Sequence, residues 1–278
     1  MHEVLLIHTI QRGQFIRIAA VIIEWGIGGC RDSFEFSPNQ VFDNDSGQQL
    51  NSKNIARLYS LPKDDTITIA FVGDSQRFYD ELSTFIKTVN QFPNVDFVLL
   101  AGDISDFGLL EEFEMINEMF AELNKPYIGV IGNHDVLGKG DEVFERMFGP
   151  LNFSFYYQDV KFVLHNTNSK EYNTGNVPDL NWLKSQLVKS DSAKYFILVS
   201  HVPPFSGDFD KNLEGEYAAT LQETPSLLVS LHGHIHEHKD GYPYQDGVRY
   251  ITAPSFDKKS FVLIQVVSGK LFTRLIYY

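Results

Sequence analysis

Short apolar runs that stop on a glycine and then on a polar block recur along this chain. The first, TITIAFV at 66–72, has the β-branched, apolar make-up of a buried strand and ends on Gly73-Asp74. Within 79–92, Leu82, Phe85, Ile86 and Val89 then follow at helical spacing. A second run, VDFVLLA at 95–101, stops at Gly102-Asp103, residues 109–123 have an amphipathic helical pattern, and a third strand at 127–131 leads into Asn133-His134-Asp135. Strands alternating with helices predict a parallel sheet covered on both faces. In such sheets ligands bind beyond the carboxyl ends of the strands, where these polar blocks stand.

The second half repeats the theme. Residues 153–157 and 161–164 predict a hairpin, 180–187 a helix, and 195–200 a strand ending at His201. Residues 226–231 lead into His232-Gly233-His234-Ile235-His236, and runs at 248–252, 261–267 and 271–276 predict three antiparallel strands. The expected fold is α/β: a β-sandwich of two mixed sheets flanked by helices, built as a single domain over 65–278 without internal repeats.

The front end differs. Arg12 and Arg17 precede an apolar run at 18–23, and Ile27-Gly28-Gly29-Cys30 is similar to the cleavage box of a bacterial lipoprotein signal. On that reading residues 1–29 are a signal peptide, Cys30 carries a lipid, residues 30–64 are a polar linker, and the protein is anchored in the bacterial cell envelope, in the periplasm or outer membrane. Glu24 interrupts the apolar run, and the competing reading is a buried strand with a free cysteine in a cytoplasmic protein. As the only cysteine in the 278 residues, Cys30 has no intramolecular disulfide partner.

Composition narrows the chemistry. Hydrophobic residues make up 43% and charged residues 21%, ordinary globular values, while 23 basic against 36 acidic residues give a net charge of −13. Such a surface repels nucleic acid and anionic headgroups, which excludes polyanion wrapping and leaves an anchor on Cys30 as the one expected membrane contact. Any phosphate group must be met by local positive charge, such as bound cations. The strand ends supply Asp74, Gln76, Asp103, Asn133, His134, His201, His234 and His236. Singly, each Asp or Asn reads as a strand-end cap. Together they form a mixed nitrogen and oxygen donor set that suits Mn, Fe or Zn better than Ca, with Mg ranked behind.

Five ordered blocks carry a family resemblance: Gly-Asp-Ser-Gln at 73–76, Gly-Asp-Ile-Ser-Asp at 102–106, Gly-Asn-His-Asp at 132–135, His201, and Gly-His-Ile-His at 233–236. In order and spacing they resemble the calcineurin-like metallophosphoesterases, over about residues 66–278. The resemblance implies a four-layer fold and two metal ions: one on Asp74, Asp103 and His236, the other on Asn133, His201 and His234, with Asp103 shared. It implies hydrolysis of a phosphate monoester or diester by metal-bound hydroxide, with His134 assisting the leaving group and Asp135 orienting that histidine. Gln76 stands where the family usually has histidine, so a weaker neutral donor completes the first set. That departure leaves a catalytically weak or inactive metal-binding lipoprotein as the alternative. The expected substrate is a phosphorylated small molecule, lipid or nucleotide, and nothing in the sequence fixes the oligomeric state.

Overall fold

The computed structural model describes residues 37, 39–42, 47–172, 176–188 and 193–278. The chain divides between Gln40 and Val41, and the fold is that of the second unit. The expected signal segment and Cys30 lie outside the described residues.

Helix α1 (Leu50–Tyr59) leads into strand β1 (Thr66–Val72), followed by α2 (Tyr79–Val89), β2 (Phe97–Leu100), α3 (Leu110–Phe120), β3 (Tyr127–Gly129) and α4 (Gly140–Met147). Then come β4 (Phe153–Tyr157), β5 (Val160–Leu164), α5 (Leu180–Gln186), β6 (Tyr195–Val199), α6 (Lys211–Gln222) and β7 (Leu227–His232). The chain ends with β8 (Lys239–Gly241), β9 (Tyr250–Thr252), β10 (Ser260–Val267) and β11 (Lys270–Tyr277). Two mixed sheets result, in the orders β11-β10-β1-β2-β3 and β4-β5-β6-β7-β9-β8. Strands β1 to β3 run parallel in the first, and β5, β6, β7 and β9 in the second.

Strand alternation builds the layers. Ile69 and Phe71 of β1, Phe97 and Leu99 of β2, and Ile197 and Val199 of β6 point into the core between the sheets. Their neighbours Ala70, Val72, Val98 and Leu100 face α2, α3 and α4, while Phe196 and Leu198 face α5 and α6. The outcome is the expected four-layer sandwich. Phe97 anchors its centre, meeting Phe155, Tyr157 and Phe162 edge to face with ring centroids 6.2, 6.2 and 5.5 Å away. Such pairs add about 0.5–1.5 kcal/mol each to the area they bury.

Two expectations change. The three C-terminal runs do not form one antiparallel set: β10 and β11 pair with each other and with β1, whereas β9 lies in the other sheet, parallel to β7 and antiparallel to β8. Part of the segment expected as a polar linker, 30–64, is folded, because α1 lies within it. Asn51 donates through Nδ2 to Gly129 O at 3.0 Å and accepts from Gly129 N at 2.9 Å, and Asn54 Oδ1 accepts from Tyr127 N at 3.2 Å. These asparagines satisfy the open edge of β3, so their polarity serves the sheet rather than solvent. No helix among the described residues is long and apolar enough to cross a membrane.

One buried group outside the strand-end cluster makes the fold acid-sensitive. His165, 1% exposed, shares a 2.9 Å hydrogen bond with the Tyr217 hydroxyl, and burial pushes its pKa down to about 4. Above pH 6.5 the group is neutral folded or unfolded and contributes no pH dependence. Below that the unfolded chain gains the proton first, so stability falls until about pH 4, by about 3 kcal/mol in total. Urea denaturation of the metal-free protein across this range should show a shallower pH slope in His165→Gln; an equal slope would discard the assignment.

Candidate metal centre

The five polar blocks meet at one end of the sandwich. Asp74, Asp103 and Asn133 follow β1, β2 and β3 of the first sheet, and His201, His234 and His236 follow β6 and β7 of the second. The turns are tight: φ is +56° at Asp74, +52° at Asp103, +68° at His234 and +59° at His236. Left-handed backbone at non-glycine residues costs about 1–3 kcal/mol each and persists only where the surroundings enforce it.

The enforcing contacts are a mutual clasp between loops. Asp103 Oδ1 accepts from His134 N at 2.9 Å. In return, Asp135 Oδ1 accepts from the Ile104 and Ser105 amides at 2.9 and 2.7 Å and from Ser105 Oγ at 2.9 Å, while its Oδ2 accepts from Gly132 N at 2.8 Å. Ser75 N and Gln76 N donate to Asp103 O at 2.9 and 3.3 Å, tying in the loop after β1. Gly132 is required by this approach, since a Cβ there would collide with the backbone nitrogen and carboxylate of Asp103.

The side chains converge as acceptors. Ligand atoms of Asp74, Asp103 and His201 lie within 4.8 Å of one another. His201 donates its Nδ1–H to Ala101 O at 2.6 Å, which aims Nε2 at Asp103 Oδ2 (3.1 Å) and Asn133 Oδ1 (3.0 Å). His234 donates through Nε2 to Asp208 Oδ2 at 2.8 Å, so its Nδ1 faces the same Asn133 oxygen at 3.0 Å. Nearby, His236 Nε2 approaches Asp74 Oδ1 at 3.3 Å and Gln76 Nε2 donates to Asp103 Oδ2 at 3.4 Å. Asp74 Oδ2 and Gln76 Oε1 are buried without a hydrogen-bond partner. Lone pairs facing each other at 3 Å, and buried orphan acceptors, are stabilised by positive charge between them, so this donor set fits cations.

Electrostatics agree. Burial alone would lower the pKa of His201, but the adjacent Asp103 carboxylate overrides it and raises the ring to about 10. Burial pushes the Asp103 carboxyl up, and His201 and His134 more than offset it, leaving it below the usual range. A proton on His201 thus supplies the positive charge that a cation would displace. Asp135 goes the other way, up to about 7, through burial and the neighbouring Asp103 charge.

Asp135 is therefore corrected as an orienting group: its oxygens take backbone donors and Ser105, and no hydrogen bond joins it to the ring of His134. That ring is held by the main chain, its Nδ1–H donating to Asp106 O at 2.9 Å. Asp106 in turn pairs with Arg77 Nε at 2.7 Å. His232 is buried between Ser200 Oγ and Ser230 Oγ, at 3.0 and 2.9 Å, and stacks on Tyr250. His238 Nδ1 lies 3.1 Å from Thr252 O. Phe209 and Tyr217 pack in the outer core, with Phe205 and Tyr244 against Tyr250. The sequence reading missed Asp208 and its ion-pair partner Lys170, because no periodicity marks which side chains of the irregular segments between β6 and α6 and between β5 and α5 turn towards the histidines.

Comparison with known proteins meets the same residues. Over 171 residues the chain is 26% identical to a 3′,5′-cyclic-nucleotide phosphodiesterase of Nostoc sp., covering 59% of this chain and 63% of that one. Over 160 residues it is 27% identical to a "Probable glycerophosphodiester phosphodiesterase" of Arcobacter nitrofigilis, covering 53% and 59%. The matched region thus spans about 60% of the length of these two relatives. A dimetal phosphatase from Danio rerio shares the fold, with a TM-score of 0.59 at 14% identity over 75% of this chain and 95% of that one. The family model for calcineurin-like phosphoesterases matches residues 67–238, a stretch that contains all five polar blocks, and the chain belongs to that family.

Proposed function

We propose that this protein hydrolyses a phosphodiester of a small molecule at a pair of divalent cations. The observation that carries the reading is the convergence of unsatisfied acceptors at the strand ends, with a histidine on their rim whose Nδ1 is already occupied. Asp74, Gln76, Asp103 and His236 would hold one cation, and Asp103, Asn133, His201 and His234 the other. Such cations supply Lewis acidity towards the phosphoryl oxygens and acidify a water for attack on phosphorus.

The chain's own residues do the rest. Asp103, pinned by the His134 amide, keeps the loops after β2 and β3 in register. His134 has Nε2 as its remaining nitrogen, and with Nδ1–H fixed on Asp106 O the protonated ring can pass an Nε2 proton to the leaving oxygen. Buried Gln76, a neutral donor, leaves the first set with one charge-free oxygen and favours a harder ion such as Mn over Zn. The diester preference draws on the activities for which the Nostoc and Arcobacter relatives are named.

The test is turnover of bis(p-nitrophenyl) phosphate and p-nitrophenyl phosphate by the purified chain, stripped by chelation and reloaded with Mn, Fe, Zn or Mg. Activity is expected only after reloading, faster on the diester. Faster monoester turnover would replace the diester reading, and silence on both esters with every metal would refute the enzyme.

A further inference from the structure

We infer that Asp208, braced by Lys170, is a positioning residue that fixes which nitrogen of His234 faces the cations. The inference rests on the cation-binding reading above and assigns the outer half of one ligand. His234 has two nitrogens, and only one can point into the cluster. Asp208 Oδ2 accepts from Nε2–H at 2.8 Å, and Nδ1 is left 3.0 Å from Asn133 Oδ1. The other carboxylate oxygen, Oδ1, receives the ammonium of Lys170, so both oxygens of Asp208 are engaged.

The contacts decide between a positioning role and direct ligation: Asp208 meets the ring at Nε2, whereas the converging acceptors meet it at Nδ1. The Asp208 and Lys170 side chains are 43% and 58% exposed. Asp208 thus stands on the solvent side of the imidazole, and the converging acceptors stand on the other. A half-turn about the Cβ–Cγ bond would put Cδ2 where Nδ1 stands and Cε1 where Nε2 stands, and so break both contacts at once. A carboxylate on the far nitrogen holds the ring in place and raises the basicity of the near one, and losing such a group weakens metal binding about 10–100-fold. His201 obtains the same service from the Ala101 carbonyl. His234, emerging at the exposed rim, obtains it from a side chain on a different segment.

The test compares Asp208→Asn with Asp208→Ala in the full chain, by Mn titration calorimetry and by 15N-resolved spectra of the histidine ring. The Ala variant should lose about 10–100-fold in affinity for one of two equivalents, the other unchanged. The Asn variant, which keeps an acceptor but not the charge, should recover most of the loss. In the metal-free wild type, His234 should show a downfield, slowly exchanging Nε2–H resonance that disappears in Asp208→Ala. Equal losses in the two variants would make the effect one of charge alone and overturn the inference. Wild-type affinity in Asp208→Ala, or a wild-type spectrum without that resonance, would overturn it too. A wild-type chain that took up no cation would remove the two-cation reading, while the metal-free spectrum would still decide for or against Asp208.

Discussion

Asp103→Asn is expected to abolish phosphoesterase activity and to release bound metal from both positions, because a carboxylate that meets candidate ligands of both sets loses its charge. Asp103 touches His201 at 3.1 Å and Gln76 at 3.4 Å, and shares the 4.8 Å cluster with Asp74. Groups one step further from a metal already change affinity about 10–100-fold, so the loss here should exceed about 100-fold. The metal-free fold should survive, since an Asn amide oxygen can still accept from His134 N. Elemental analysis after gel filtration, with circular dichroism as the control for folding, measures both halves. A variant that retains two equivalents of metal and turns over normally would remove Asp103 from the centre of the site.

His134→Ala should do the reverse, keeping the metal and losing the rate. The ring makes its contact to the carbonyl of Asp106, while the amide that holds Asp103 is main chain and survives the substitution. A general acid contributes about 10²–10⁴-fold, and the larger figure applies to poor leaving groups. The kcat deficit should therefore be small for nitrophenyl esters and large for alkyl esters. A deficit independent of leaving-group pKa would assign His134 to binding, and wild-type kcat on both ester types would remove it from the reaction.

Why the site was legible and the edges of the fold were not has a physical answer. Buried parallel strands are written as continuous apolar runs, so the abrupt change to Gly-Asp or Gly-Asn marks where a strand must stop. In most runs the expected and observed strand ends differ by one or two residues: β3 stops at Gly129 rather than 131, for instance. Partner choice is not written in the runs. A three-residue strand such as β9 carries the same pattern whether it pairs with β7 or with β10, and only the assembled sheet decides. Helix α1 was hidden for a different reason. Its buried residues are Asn51, Asn54 and Leu58, with Leu50 and Ile55 only partly buried against the core, so two amides interrupt the apolar pattern that would announce it. Helix α6, with Tyr217, Thr220 and Leu221 as its buried face, is nearly as faint. The orienting role of Asp135 was implied by the family resemblance, whereas the carboxylate reaches back to the loop after β2 and closes the clasp instead.

The division of the ligands between the two sheets has a further consequence. Neither sheet owns a complete set, so an occupied centre would rivet the halves of the sandwich together at one end, and pulling them apart would require releasing the ions. Resistance to unfolding then becomes a property of the surroundings as much as of the sequence. At a free metal concentration one hundred times the dissociation constant, mass action adds about 2.7 kcal/mol for a single site. Metal scarcity would reach the whole sandwich, not merely its chemistry.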